Sequence, residues 1–265
     1  MTGVAPPWAE LSMHRPHTSP AISVAAILNE GPTSSSPLLV LADDEQQWWV
    51  KHETRTSGKS LVNELVVGRL GKLIGAPVCD VALIDLASNL LPYELRSGEL
   101  VRAGTCVASR HLGDALVEVR PPVPHRTDDD NRRRHAGLLA LVDWCFGRDV
   151  QHLQDAGQDF ATTSHDHGQY FPLGPGWDPA ALSSAVHTPV VIADDPTGLD
   201  IDELHRLAHA LRAVERRTIH EVLLEVPPSW PVTDSELRRP GQFLEVRAAE
   251  VAVRIELLIA RLESI

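Results

Sequence analysis

Cysteine is scarce in this 265-residue chain, and the three present, Cys79, Cys106 and Cys145, are widely spaced with no CxxC pair. Three cysteines at such spacing speak against a disulfide framework or a structural zinc site. Their apolar surroundings fit small buried side chains in a reducing compartment. Basic residues are also short: 24 Lys and Arg against 36 Asp and Glu leave a net charge of −12. A general nucleic-acid binder would carry a basic stripe. The one dense basic run, Arg132-Arg133-Arg134, follows Asp128-Asp129-Asp130 and reads as a solvated loop or a helix start, so no nucleic-acid partner is expected. Apolar runs long enough to span a bilayer, about 18 residues, are missing, and Met1 to Pro20 has no signal-peptide core. A soluble, cytoplasmic protein without a membrane partner is the expectation. The GK[ST] ending of a Walker A loop, HExxH and internal repeats are absent too.

What is present is a 43% apolar chain, long enough for two lobes. Residues 1–20 read as a weakly ordered arm. Strands are expected at 21–28, 37–42 and 47–52, the last two as a hairpin about Asp43-Asp44-Glu45, and again at 78–86 and 100–109. Between them Leu61, Val62, Leu65, Val66, Leu70, Leu73 and Ile74 repeat at helical spacing, with Ser60 as a cap and Gly75 as the stop. Pro121-Pro122-Val123-Pro124 marks a boundary, so residues 21–120 form a β-rich lobe and 121–265 a helical one. In the second, residues 134–146 are apolar on nearly all sides and predict a buried helix. A short strand and turn covers 162–168. Asp178-Pro179 opens a helix, Asp200 to Glu203 opens one reaching about 216, and another covers 218–226. Pro240-Gly241 interrupts the chain before a last helix at 243–262.

The chemistry-bearing residues follow one order. Gly31-Pro-Thr-Ser-Ser-Ser36, with Gly31, Thr33, Ser34 and Ser35 as contacts, is a candidate phosphate-covering loop, because backbone N–H groups and hydroxyls can surround anionic oxygens. Lys51 ends a strand and is a candidate phosphate cation paired with Glu64 on the next helix. Asp149 follows the buried helix, where a carboxylate can orient an attacking hydroxyl and accept its proton. Asp166 is a candidate magnesium ligand, and Gln154, five residues past Asp149, a candidate amide-oxygen ligand beside it. Loop, lysine, glutamate, catalytic aspartate and metal aspartate occur in the order a kinase needs. A second pattern competes: His165-Asp166-His167 offers a transition-metal cluster of the kind metal-dependent phosphohydrolases use.

These residues resemble the HipA-like kinase family, in its short standalone members, over about residues 22–175. The resemblance rests on Gly31-Pro-Thr-Ser-Ser-Ser-Pro-Leu-Leu-Val40, Val50-Lys51, Leu61-Val-Asn-Glu64 with Leu70 to Pro77, Val142-Asp143-Trp144 and Asp166-His-Gly168. It implies an α+β, two-lobed protein-kinase-like fold with a small β-rich N-lobe and a larger α-helical C-lobe. It also implies ATP, magnesium and phosphorylation of a serine or threonine on a protein, possibly this one. A small-molecule hydroxyl is the other acceptor considered. By that resemblance Lys51 contacts nucleotide phosphates, Asp149 is catalytic and Asp166 holds metal. The chain departs from the family at Gly147-Arg148, before Asp149, and at Gln154, where the family has asparagines. Those departures leave open a nucleotide-binding scaffold without turnover.

Overall fold

A computed structural model describes residues 7–17, 19–53, 58–113, 116–190 and 194–264. Five strands close on themselves: β1 (Ile22–Glu30), β2 (Leu38–Ala42), β3 (Gln47–Lys51), β4 (Val81–Leu86) and β5 (Gly104–Arg110), in the order β1-β2-β3-β5-β4. The ring is antiparallel except where β4 returns beside β1, Ile22 opposite Ile84. Side chains alternate along these strands, so Leu38, Val40, Trp48 and Val50 fill the interior with Ile84, Leu86, Cys106 and Ala108. The same alternation turns Trp49 and Lys51 to the outer face of β3.

Helix α1 (Gly58–Leu73) leaves the barrel and is buried on almost every side, Asn63 and Glu64 included. A polar outer face for this helix, as its spacing implies, is therefore not what forms. Its apolar residues join a second core with α2 (Asn131–Trp144), α4 (Ile201–Arg212), α5 (Arg216–Leu224) and α6 (Asp234–Glu263); α3 (Pro179–Ala185) is a short helix against α6. Asp178 and Asp200 cap α3 and α4 as their positions imply. The helical part is larger than the barrel. The molecule is α+β, a five-stranded barrel and a larger helical part.

Three elements differ from the sequence reading. Residues 7–17 are packed rather than loose: Trp8 and Met13 are buried, and Arg15 is bonded to Asp234 and to the carbonyls of Pro227 and Val232. The indole of Trp8 lies against Gly241, where a Cβ would come within 2.4 Å of the ring. Helix α6 does not stop at Pro240 but runs through it. The missing N–H costs one helical bond, whereas the buried stripe from Leu237 through Ile259 holds the helix on both sides of the proline. A capping box at Thr233 and Glu236 secures its start.

The third difference matters most for the site. Residues 150–155, read as loop, contain strand β7 (Gln151–Asp155), which pairs with β6 (Leu116–Val119) and β8 (Ala161–His165) in a separate three-stranded sheet. In the chain's path β6 follows the barrel and precedes α2, and β7 and β8 follow α2. Cys79, Cys106 and Cys145 are free and buried, and burial raises each thiol, the first two to about 12. No helix among the described residues is long and apolar enough to cross a membrane.

Candidate functional site

Register in the small sheet brings the distant aspartates together. Gln151 is opposite His165, so Asp149, just before β7, and Asp166, just after β8, lie at the same end of one hairpin. Strand β6 runs antiparallel to β7 with Val119 opposite His152, which delivers Arg120 to that end as well. Asp149 and Asp166 both take left-handed backbone, φ 49° and 53°, a conformation aspartate tolerates better than most residues.

Lys51 reaches this end from the barrel. Its ammonium bonds Glu64 and lies 2.6 Å from Asp166 Oδ1. Burial alone would pull the ammonium down, but Glu64 and Asp166 outweigh it and hold it at about 12. Asp166 in turn is lowered: burial opposes its charge, but the attraction and hydrogen bond of Lys51, with smaller help from His165 and Glu64, together outweigh it. Both groups are therefore charged at neutral pH. Glu64 sits behind Lys51, 2% exposed, and accepts the backbone N–H groups of His167 at 3.0 Å and Gly168 at 2.8 Å. It ties the Asp166 loop to α1 rather than facing the cleft. Asn63 completes the tie by donating to the carbonyls of Gly168 and Tyr170 and accepting from Trp177.

This packing leaves no room beside Gly168. A Cβ there would lie 2.4 Å from Ser60 Oγ and 3.1 Å from Glu64 Oε1. Gly168→Ala should therefore displace the Asp166 loop and lower the melting temperature by several degrees, which a melting curve checks.

Thr33, Ser34 and Ser35, from the loop joining β1 and β2, line a cleft of about 460 Å³ together with Lys51, Asp149 and Asp166. That loop is closed by Gly31 N–H donating to the Pro37 carbonyl at 2.7 Å. Gly31 lies on an adjoining pocket of about 340 Å³, walled by Trp49, Cys79, Leu116 and Leu153. Of the residues read from the sequence, the structure thus brings Lys51, Glu64, Asp149, Asp166 and the Thr33–Ser35 segment together.

Gln154 is a correction. Along β7 alternate residues face opposite ways, and the residue directed to the cleft is Gln151. Gln154, an odd number of positions on, points to the buried side and gives its amide to the Pro124 carbonyl at 2.8 Å and Thr162 Oγ1 at 3.1 Å. Counting five residues from Asp149 assumes a loop, and a strand changes the parity.

The His165-Asp166-His167 pattern does not gather into a cluster. His167 Nε2 is engaged with Ser164 Oγ at 2.9 Å and its ring meets Tyr170 edge-on, away from the cleft. Burial lowers His165 to about 4 and His167 to about 3, so both are neutral at pH 7. Among the described residues no group of three or more His, Cys, Asp or Glu is arranged to hold a metal ion.

Arg120 and Gln151 are residues that sequence reasoning missed, and Asn63, beside Glu64, is one to which it assigns no role. Asp149 is ion-paired with Arg120, and its second oxygen accepts from Gln151 Nε2 at 3.1 Å.

A barrel carrying a lysine tied to a helix glutamate, facing two aspartates across a cleft, has the layout of a kinase-like fold. A family model described as HipA-like kinase matches residues 23–143, and the resemblance to HipA-like kinases holds over that segment. Solved structures agree on the fold. The Helicobacter pylori proinflammatory kinase CtkA superposes with a TM-score of 0.54 at 12% identity, covering 93% of this chain and 97% of CtkA. A Golgi casein kinase superposes at 0.53 and 10% identity, covering 93% of this chain and 76% of its own. Its form with Mn/ADP bound gives 0.50 at 10%, over 90% and 73%. No curated protein matches. The family model and the structures together support a kinase-like phosphotransferase.

Proposed function

We propose that this protein transfers the terminal phosphoryl group of ATP, with magnesium, to a hydroxyl. A serine or threonine of a protein, this chain included, is the first choice of acceptor, and a small-molecule hydroxyl the second. The observation that carries this reading is the convergence on one cleft of Lys51, held by Glu64, with Asp149 and Asp166. The family segment supplies Lys51 and Glu64, and the two aspartates follow it in the chain.

The donor set fits a hard divalent cation. The carboxylate of Asp166 and the amide oxygen of Gln151 line the cleft, oxygen donors of the kind magnesium prefers. Asp166 would be the main ligand. When bound, magnesium neutralises phosphate charge as it builds up at the leaving oxygen. Lys51 binds phosphate oxygens and, kept protonated by its two carboxylates, does not lose its charge on doing so. The hydroxyls and backbone of Thr33 to Ser35 close over the same oxygens. Asp149 orients the acceptor hydroxyl and takes its proton as the new O–P bond forms. The apolar pocket beside Trp49 and Leu153 takes the base. Residues 21–120 would thus carry most of the nucleotide side and 121–265 the acceptor side, with β6 joining the second sheet. The free, buried cysteines support a reducing, cytoplasmic location.

One observation favours a second reading, a nucleotide-binding scaffold without turnover: Asp149 is already engaged by Arg120. Turnover separates the two. The proposed site itself is tested by melting with ATP, with and without magnesium, on wild type and Lys51→Met. At about ten times its dissociation constant a nucleotide adds roughly 1.4 kcal/mol, a rise of about 3–5 °C in this size range. A magnesium-dependent rise lost in Lys51→Met is the expected result. No rise at millimolar ATP overturns the nucleotide site.

A further inference from the structure

Charge in the cleft is unevenly used. Among the described residues lining it, Lys51 and Arg120 are the cations, and Glu118, Asp149 and Asp166 the anions. Lys51 is 14% exposed and already carries two carboxylates. Arg120 is different. It follows the end of β6, is 53% exposed, and contacts Asp149 with Glu118 at 3.8 Å. The oxygens of Asp149 each have a donor, one of them a full cation. An acceptor hydroxyl must therefore share Asp149, itself 48% exposed, with a cation already seated on it.

Position says what would uncover it. For in-line transfer the acceptor oxygen must lie within hydrogen-bond reach of Asp149 and about 3–3.5 Å from the phosphorus. A guanidinium seated on Asp149 is then within one side-chain movement of the transferring phosphate. Exposed ion pairs on long side chains hold weakly. A planar fork of N–H donors matches phosphate, which carries more charge than one carboxylate.

We propose, building on the phosphotransfer reading of this cleft, that Arg120 is a switch cation: it rests on Asp149 and moves to the terminal phosphate of a bound nucleoside triphosphate. The movement neutralises that phosphate and frees Asp149 for the hydroxyl in the same step. The base stays paired with Arg120 until a donor with a transferable phosphate is in place, which limits engagement of the acceptor when only a diphosphate is bound.

Two affinities report it. Arg120 addresses the terminal phosphate, so it discriminates triphosphate from diphosphate. Asp149 competes for Arg120, so removing its charge strengthens triphosphate binding through Arg120. The experiment is titration calorimetry with magnesium, using ADP and a non-hydrolysable ATP analogue, on the full chain as wild type, Arg120→Gln, Asp149→Asn and the double variant. Arg120→Gln is expected to lose about tenfold in affinity for the analogue while ADP stays within about twofold. The ADP value also shows that each variant is folded. Asp149→Asn is expected to bind the analogue a few-fold more tightly than wild type, and the double variant to show none of that gain. Equal loss on both nucleotides, or no loss on either, in Arg120→Gln overturns the proposal. So does a gain that persists in the double variant, which would trace it to simple relief of repulsion at Asp149. Failure of wild type to bind either nucleotide overturns the phosphotransfer reading, and this proposal with it.

Discussion

Asp166→Asn should lower the rate of phosphoryl transfer by about 10³-fold or more while leaving the fold intact. The substitution keeps the shape of the side chain and one oxygen to accept from Lys51, so the 2.6 Å contact can persist as a neutral acceptor. Lys51 also keeps Glu64, and Glu64 keeps the backbone N–H groups of His167 and Gly168. The loop therefore stays in place. What is lost is the charge that a divalent cation needs, at a residue held ionised by the neighbouring ammonium. A radiolabel transfer assay at saturating ATP, beside a melting curve, checks both halves. Transfer within tenfold of wild type would remove Asp166 from the metal role. A melting temperature lowered by ten degrees would show instead that the charge holds the loop. The two glutamines make an internal contrast in the same assay. Gln151→Ala should cost transfer with little loss of stability, since it borders the cleft. Gln154→Ala should cost stability, since it leaves the Pro124 carbonyl and Thr162 short of a donor.

That contrast also marks how far the sequence could be read. Strands and helices with strong apolar period were legible: the Trp48-Trp49 hairpin, the α1 stripe and the apolar α2 all form close to where their spacing puts them. The order of Lys51, Glu64, Asp149 and Asp166 was legible as an order because each follows an element that periodicity reveals. β7 was not, because Gln-His-Leu-Gln-Asp carries a single aliphatic residue and its buried positions are Gln151, His152 and Gln154. Burial of polar residues through hydrogen bonds leaves no hydrophobic pattern. Without β7 neither the parity of Gln151 nor the delivery of Arg120 could be inferred. The apolar stripe in α6 was visible but Pro240 appeared to end it, and only the tertiary partners on both sides decide otherwise. Residues 7–17 looked loose because Trp8, Met13 and Arg15 are isolated in the sequence, and the partners of Trp8 and Arg15 lie more than two hundred residues away in α6 and the turn before it.

Asp143→Ala should destabilise the chain by about 3–5 kcal/mol, the largest loss expected of a single polar substitution here. Asp143 lies in the last turn of α2 and binds two guanidinium groups, Arg247 at 2.8 Å and Arg254 at 2.7 Å, both from α6. Arg247 has no solvent exposure. It donates to the carbonyls of Trp144 at 3.0 Å and Thr188 at 2.7 Å, and packs over the rings of Phe146 and Phe243. Burial already lowers its proton affinity, with Asp143 as the main opposing charge. Without that carboxylate a buried cation keeps its carbonyl dipoles but loses its counter-charge, and Val190 N–H loses its acceptor. Chemical denaturation should show the loss directly, and the melting temperature should fall by roughly 6–20 °C. If the missing counter-charge is the cause, Asp143→Ala with Arg247→Met must cost less than the sum of the single variants. Additive costs would mean that the two side chains act independently. The loop carrying Asp149 should respond as well, because α2 leads through Gly147 and Arg148 into Asp149, and Phe171 N–H is anchored on the Cys145 carbonyl at the same helix end. Transfer in Asp143→Ala should therefore fall at temperatures where the chain is still folded, whereas ADP affinity, set across the cleft by the barrel and Lys51, changes less.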